Sequence, residues 1–330
     1  GLTDEELLRV HDIIHNSIGS FNFDTLLDAH IYIVRELTKR NKDHKIIGDD
    51  IDIESSGLID KIQESNELSE VNKTISIRQV FGSPGGQRFL AKRLVQLLPE
   101  SDIYCEPYFG GGAVFFARKP SKREIINDLN PVIIQAYRYI QDLTDTEIVT
   151  LSEKDWVGSK EKWKYLYSQD PVRKMDWLYR FFYVKRHSYE GAMLSAGVKK
   201  HAEHGPGFFK NLLVARDRLK GVEIRNEDAI GLILKEDREN VIYYCDPPYP
   251  EKKKNWQGIG SAEISDLVAI AKKIKGKFIM SLQASEEIRE SFSGFKIRAI
   301  KKYNYSQAHR FDQEGVKRFR TELCGFADKD

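Results

Sequence analysis

The chain has 330 residues, 41% hydrophobic and 31% charged, enough for a sizeable core and for more than one domain. No apolar run of about 18 residues and no basic-then-apolar leader occurs in these residues, so neither a membrane span nor a signal peptide is expected, and the expected location is the cytoplasm. The net charge of +2 hides an asymmetry: residues 1–72 hold 7 Lys/Arg against 16 Asp/Glu, whereas the remainder holds 45 against 34, the balance expected of a nucleic-acid enzyme with an acidic appendage.

Residues 1–72 read as that helical appendage. Thr3 begins a plausible cap, and Leu7, Leu8, Ile13 and Ile14, then Leu26, Leu27, Ile31, Val34 and Leu37, give two amphipathic helices, with a polar stretch over 41–56 before a third. His11 and His15 lie four apart, but the glutamate of an H-E-x-x-H site is absent, so no metal is expected. The segment is a candidate to dock a protein partner or to fold over the catalytic domain.

The catalytic part, 73–330, carries its signals at strand ends. Gly85 and Gly86 precede a helix. Ile103-Tyr104-Cys105-Glu106 is a short apolar strand running through Pro107-Tyr108-Phe109 into Gly110-Gly111-Gly112, whose glycines allow positive φ and close approach of a ligand. The spacing is neither G-x-G-x-x-G nor G-x-x-x-x-G-K-S/T, which disfavours a dinucleotide dehydrogenase and a P-loop enzyme. Glu124-Ile-Ile-Asn127-Asp128 is a second strand ending in an acid about twenty residues beyond the glycine turn, where ribose hydroxyls are accepted. Val222-Glu-Ile-Arg-Asn226-Glu227-Asp228 is a third, suited to reading an adenine amino group. Read singly, each is also an ordinary turn.

Between these strands, about 145–215 carries helical patterns and a turn-rich stretch at 191–207, expected to form an inserted target-recognition region. Trp177, Leu178, Phe181 and Phe182 at helical spacing are expected to pack a core. Basic residues interleave with aromatics along the catalytic part, and Lys185, Arg186, Lys199, Lys200, Lys252, Lys253, Lys254 and Arg310 are the expected DNA contacts.

The most informative stretch is Val241-Ile-Tyr-Tyr-Cys245-Asp246-Pro247-Pro248-Tyr249. A buried strand delivers a carboxylate, two rigid prolines and an aromatic ring to its end. Asp246 and the Pro247 carbonyl form a convergent pair of acceptors for an exocyclic amino group, and Tyr249 offers a stacking face. Cys245 points away from Asp246 by strand alternation, so it is not expected to act as a nucleophile. Cys105, Cys245 and Cys324 are too widely spaced for a zinc site and read as buried free thiols.

Taken together, Gly85-Gly86, E-P-Y-F-G-G-G, N-D-L-N-P, N-E-D and D-P-P-Y over about 76–330 resemble the Dam-type adenine-specific DNA methyltransferases. The resemblance implies an α/β, Rossmann-like methyltransferase sheet, S-adenosylmethionine as donor, and a flipped adenine of double-stranded DNA as acceptor. It places Gly85, Gly86, Glu106, Phe109, Gly110, Gly112, Asp128, Asp228 and Asp246 at the cofactor, and Asp246, Pro247, Pro248 and Tyr249 at the reaction. Gln87 stands where the family has a lysine, so that lysine's role does not carry over. An RNA adenine methyltransferase and a non-catalytic DNA-binding protein are the alternatives.

Overall fold

The structure is a computed structural model describing residues 3, 78–82, 90–188, 193, 195–197, 206–248, 261–283, 290, 292, 295–303 and 319–327. The helices and histidines expected within 1–72 lie outside these residues.

In the described residues seven strands form one sheet in the order β3-β2-β1-β4-β5-β7-β6. They are β1 (Ile103–Glu106), β2 (Arg123–Asn127), β3 (Glu223–Arg225), β4 (Val241–Cys245), β5 (Lys277–Gln283), β6 (Lys296–Tyr303) and β7 (Phe319–Ala327). The first five pair in parallel, and β7 runs antiparallel between β5 and β6. Every residue of β1 and β4 is buried, the signature of parallel strands covered on both faces. The expected α/β methyltransferase sheet is therefore present.

The described helices are α1 (Ala91–Val95), α2 (Ala113–Ala117), α3 (Pro131–Gln141), α4 (Asp145–Ser152), α5 (Lys160–Ser168), α6 (Lys174–Arg186), α7 (Pro206–Leu219), α8 (Ala229–Lys235) and α9 (Ser261–Ala271). The period of two divides the central strands by face. Cys105 of β1, Val241, Tyr243 and Cys245 of β4, and Phe278, Met280 and Leu282 of β5 pack with Leu232 and Ile233 of α8 and Leu267 of α9. Tyr104, Tyr244 and Ser281 turn to the other face and are also buried. Gly276 makes the β4–β5 approach possible, since a Cβ there would lie 2.5 Å from Val241 Cγ1.

The chain divides into two compact units, with 78–82 and 139–218 in one and the sheet, within 83–138 and 219–330, in the other. The first is helical in the segments that carry its elements. Thr144 and Glu147 form a reciprocal capping box at α4, and Ser159 caps α5. Leu178, Phe181 and Phe182 of α6 are buried as their spacing predicts, and the Trp177 ring stacks on Phe181.

Candidate active site

Strand order reverses between β1 and β4, and open α/β sheets bind ligands at such a reversal, beyond the carboxyl ends of the strands. The residues singled out by their motifs meet at this edge. Glu106 closes β1 at 2% exposure, with the Tyr104 hydroxyl donating to its Oε2 at 2.7 Å and the Phe115 main-chain N–H donating to its carboxylate. Burial raises its pKa to about 8, and the nearby Asp246 charge adds to the rise. Arg118 lies over the Tyr104 ring, 4.0 Å from its centroid, and pairs with Glu124.

The glycine turn follows. Gly110 and Gly112 have φ of 50° and 64°, the left-handed region that glycine tolerates. Gly110 N donates to Asp128 Oδ2 at 2.8 Å, which ties the turn after β1 to the acid after β2. Two residues expected at the cofactor also serve the packing. The Phe109 side chain faces the interior, its ring 4.6 Å from that of Tyr137 and 5.5 Å from that of Phe115, while its backbone enters the loop. Gly112 makes room for that ring: a Cβ at 112 would lie 2.4 Å from Phe109 Cζ.

Asp128 also accepts from Asn130 N at 2.8 Å, which forms the turn leading into α3. Asn127, which the sequence motifs give no role of its own, is fully buried and joins three strand ends. Its Nδ2 donates to the Pro107 carbonyl at 3.0 Å and the Glu227 carbonyl at 3.1 Å, its Oδ1 accepts from Glu227 N at 2.9 Å, and its own carbonyl accepts from Phe109 N at 2.8 Å. Asn226 Nδ2 donates to the Asp128 carbonyl at 2.7 Å. Asp228 caps α8, accepting from Gly231 N at 2.7 Å, a structural duty alongside the cofactor contact expected of it.

At the end of β4, Asp246 is half-buried and Pro247 is buried. Asp246 Oδ1 accepts from Ser281 Oγ at 2.8 Å, a β5 partner that no motif signalled. Tyr249, Gly85 and Gly86 lie outside the described residues. Cys245 is fully buried on the opposite face, and burial drives its thiol pKa well up, as it does for Cys105, so neither supplies a thiolate.

Of the expected DNA contacts, Arg186 is exposed on α6. Lys185 does not suit a surface phosphate contact, because it is buried at 8% exposure with Nζ 5.2 Å from the Phe81 ring and 5.7 Å from that of Phe181. Lys199, Lys200, Lys252, Lys253, Lys254 and Arg310 lie outside the described residues.

Comparison with known proteins agrees with this geometry. Residues 83–305 match the model of the family described as D12 class N6 adenine-specific DNA methyltransferase. The chain is 29% identical over 198 residues to the Type II methyltransferase M1.LlaDCHI of Lactococcus lactis subsp. cremoris, covering 55% of this chain and 69% of that protein. It is 24% identical to the DNA N-6-adenine-methyltransferase of Escherichia phage P1, over 68% of this chain and 32% of the phage protein. It is also 24% identical to the DNA adenine methylase of Haemophilus influenzae, over 66% of this chain and 83% of that protein. With two thirds of its length matched, strand order β3-β2-β1-β4-β5-β7-β6, and Glu106, Asp128 and Asp246 at the carboxyl edge, the chain belongs to the D12 class N6 adenine-specific DNA methyltransferase family.

Proposed function

We propose that the chain methylates the exocyclic amino group of adenine in DNA with S-adenosylmethionine as donor, using the β1–β4 edge as its reaction site. The observation that carries this is the convergence of Glu106, the 110–112 turn, Asp128 and Asp246 beyond adjacent parallel strands. These residues fit such a donor. Glu106, whose pKa burial raises to about 8, would give up its proton on binding a cationic donor, and the charge it then carries would offset the donor's. Asp128, tied to the turn by the Gly110 and Asn130 main-chain N–H groups, is assigned to accept ribose hydroxyls, as an acid at this strand end does in nucleotide-binding α/β sheets. The donor supplies an electrophilic methyl group on a sulfonium.

The remaining chemistry belongs to the chain. The Asp246 carboxylate and the Pro247 carbonyl accept the two hydrogens of the adenine amine. That favours a tetrahedral nitrogen whose lone pair is no longer delocalised into the ring, and Asp246 stabilises the positive charge developing there. A base within a duplex cannot present its amine to this edge, so the target is flipped out, and Tyr249 is assigned to stack on it. The insertion at about 145–215 is assigned to target recognition, with exposed Arg186 among the groups that meet phosphate. The test is methylation of adenine-containing duplexes by the parent and by Asp246→Ala, followed by mass analysis of the nucleosides. N6-methyladenine made by the parent alone supports the assignment; equal yield from the variant removes it.

A further inference from the structure

Asp246 is not held by the D-P-P-Y motif alone. Ser281 Oγ, fully buried on β5, donates to Asp246 Oδ1 at 2.8 Å and lies 2.9 Å from the Tyr244 hydroxyl. A serine hydroxyl has one proton. Because that proton is committed to the carboxylate, the Tyr244 hydroxyl must be the donor to Ser281. The three groups therefore form a directed chain, Tyr244 to Ser281 to Asp246, running from the closed interior of the sheet to its reacting edge.

The placement follows from the register. Tyr244 pairs with Ile279 and Cys245 with Met280, so Asp246 and Ser281 come next in line, on the face opposite the thiols. Tyr244 and Ser281 are at most 1% exposed, out of reach of DNA or cofactor. Donors arranged in series polarise one another and strengthen the last bond, here the one that ends on an anion.

We infer that Ser281, oriented by Tyr244, is a positioning residue that fixes the plane of the Asp246 carboxylate for the adenine amine. This rests on the assignment of Asp246 to the acceptor. Holding Oδ1 sets the direction of the second carboxylate oxygen, and a donated hydrogen bond favours the ionised acid in the presence of Glu106. Neither effect acts on cofactor affinity.

The experiment compares the parent, Ser281→Ala, Tyr244→Phe, the double variant and Asp246→Ala, in kcat, KM for each substrate and the pH dependence of kcat. Ser281→Ala is expected to lower kcat about ten-fold, the loss of one charge-assisted hydrogen bond, with KM for S-adenosylmethionine within about two-fold. Its acid limb should move to higher pH. Tyr244→Phe should move both readouts the same way but less. The double variant should match Ser281→Ala in kcat, because Tyr244 acts only through Ser281.

A thermal melt accompanies each variant. Ser281→Ala leaves the Tyr244 hydroxyl buried without its acceptor, and the double variant removes both partners, so stability should partly recover in the double while kcat does not. If kcat follows stability across the series, the role is structural and the inference fails. An unmoved acid limb in Ser281→Ala, with Asp246→Ala inactive, overturns the positioning role and leaves the reaction assignment standing. If Asp246→Ala itself retains parental activity, the reaction assignment falls and takes this inference with it.

Discussion

Asn127 and Glu227 exchange two hydrogen bonds, Glu227 N donating to Oδ1 at 2.9 Å and Nδ2 donating to the Glu227 carbonyl at 3.1 Å. The side chain thus imitates one more rung of the β2–β3 ladder, past the end of the strands, and also holds the Pro107 carbonyl that precedes the glycine turn. Asn127→Ala should cost about 2–4 kcal/mol in chemical denaturation, because it leaves several buried main-chain groups unsatisfied. Asn127→Asp keeps the acceptor for Glu227 N but faces two carbonyls with a carboxylate, so it should be less stable at pH 8 than at pH 4.5. Equal stability of all three proteins would show that water replaces the side chain.

Asp128 serves the fold and the ligand together. Because Gly110 N and Asn130 N each donate to it, Asp128→Ala should loosen the turn and remove a ribose acceptor at once. Cofactor affinity measured by titration should fall by about ten-fold or more, on the scale of one charge-assisted hydrogen bond. Gly110→Val should abolish binding, since a branched side chain is strained at φ 50° and occupies the approach to the backbone. Parental affinity in both would place the pocket elsewhere.

The Glu106 prediction has a definite sign. Its pKa is about 8 in the folded chain against the ordinary 4.5, so between these values the folded state holds a proton that the unfolded state has lost. The stability this group contributes is complete below about pH 4.5 and is lost as pH rises toward about 8. Glu106→Gln keeps an acceptor for the Tyr104 hydroxyl without the titration. In ligand-free protein the variant should gain on the parent from pH 4.5 to pH 8, read from denaturation midpoints across that range. A constant difference would contradict the raised value.

Two glycines should respond in opposite directions. Gly112→Ala combines a positive φ with a Cβ placed 2.4 Å from Phe109, and should cost about 2–4 kcal/mol. Gly231 lies within α8, and a Cβ there would meet Asp228 Oδ2 at 3.4 Å, an ordinary contact. Gly231→Ala should be neutral or stabilising by about 0.5–1 kcal/mol. Denaturation of the two variants side by side checks the contrast.

The parallel strands and their terminal acids were legible because β1, β2 and β4 are short apolar runs closed by acid, proline or glycine. The antiparallel end of the sheet was not. β6 reads Lys-Ile-Arg-Ala-Ile-Lys-Lys-Tyr, and its basic residues point as readily to a nucleic-acid surface as to a strand. Ser281 and Asn127 escaped notice because a polar residue within or closing a strand becomes significant only when the register brings a partner beside it. For Lys185 the charge alone pointed to phosphate, and its place on α6, near the rings of Phe81 and Phe181, could not be read from the sequence. Phe109 sits in the most specific loop motif, yet its ring belongs to the core.

Asp246 bears the reaction assignment most directly, and its substitution separates transfer from binding. Parent and Asp246→Ala should be compared on one adenine-containing duplex at saturating S-adenosylmethionine, with donor affinity measured in parallel. We expect transfer to fall by a factor of about a thousand or more, the scale for removing a principal electrostatic stabiliser, while donor affinity stays within a few-fold. Near-parental methylation by Asp246→Ala would contradict the assignment of the β4 edge as the site of reaction.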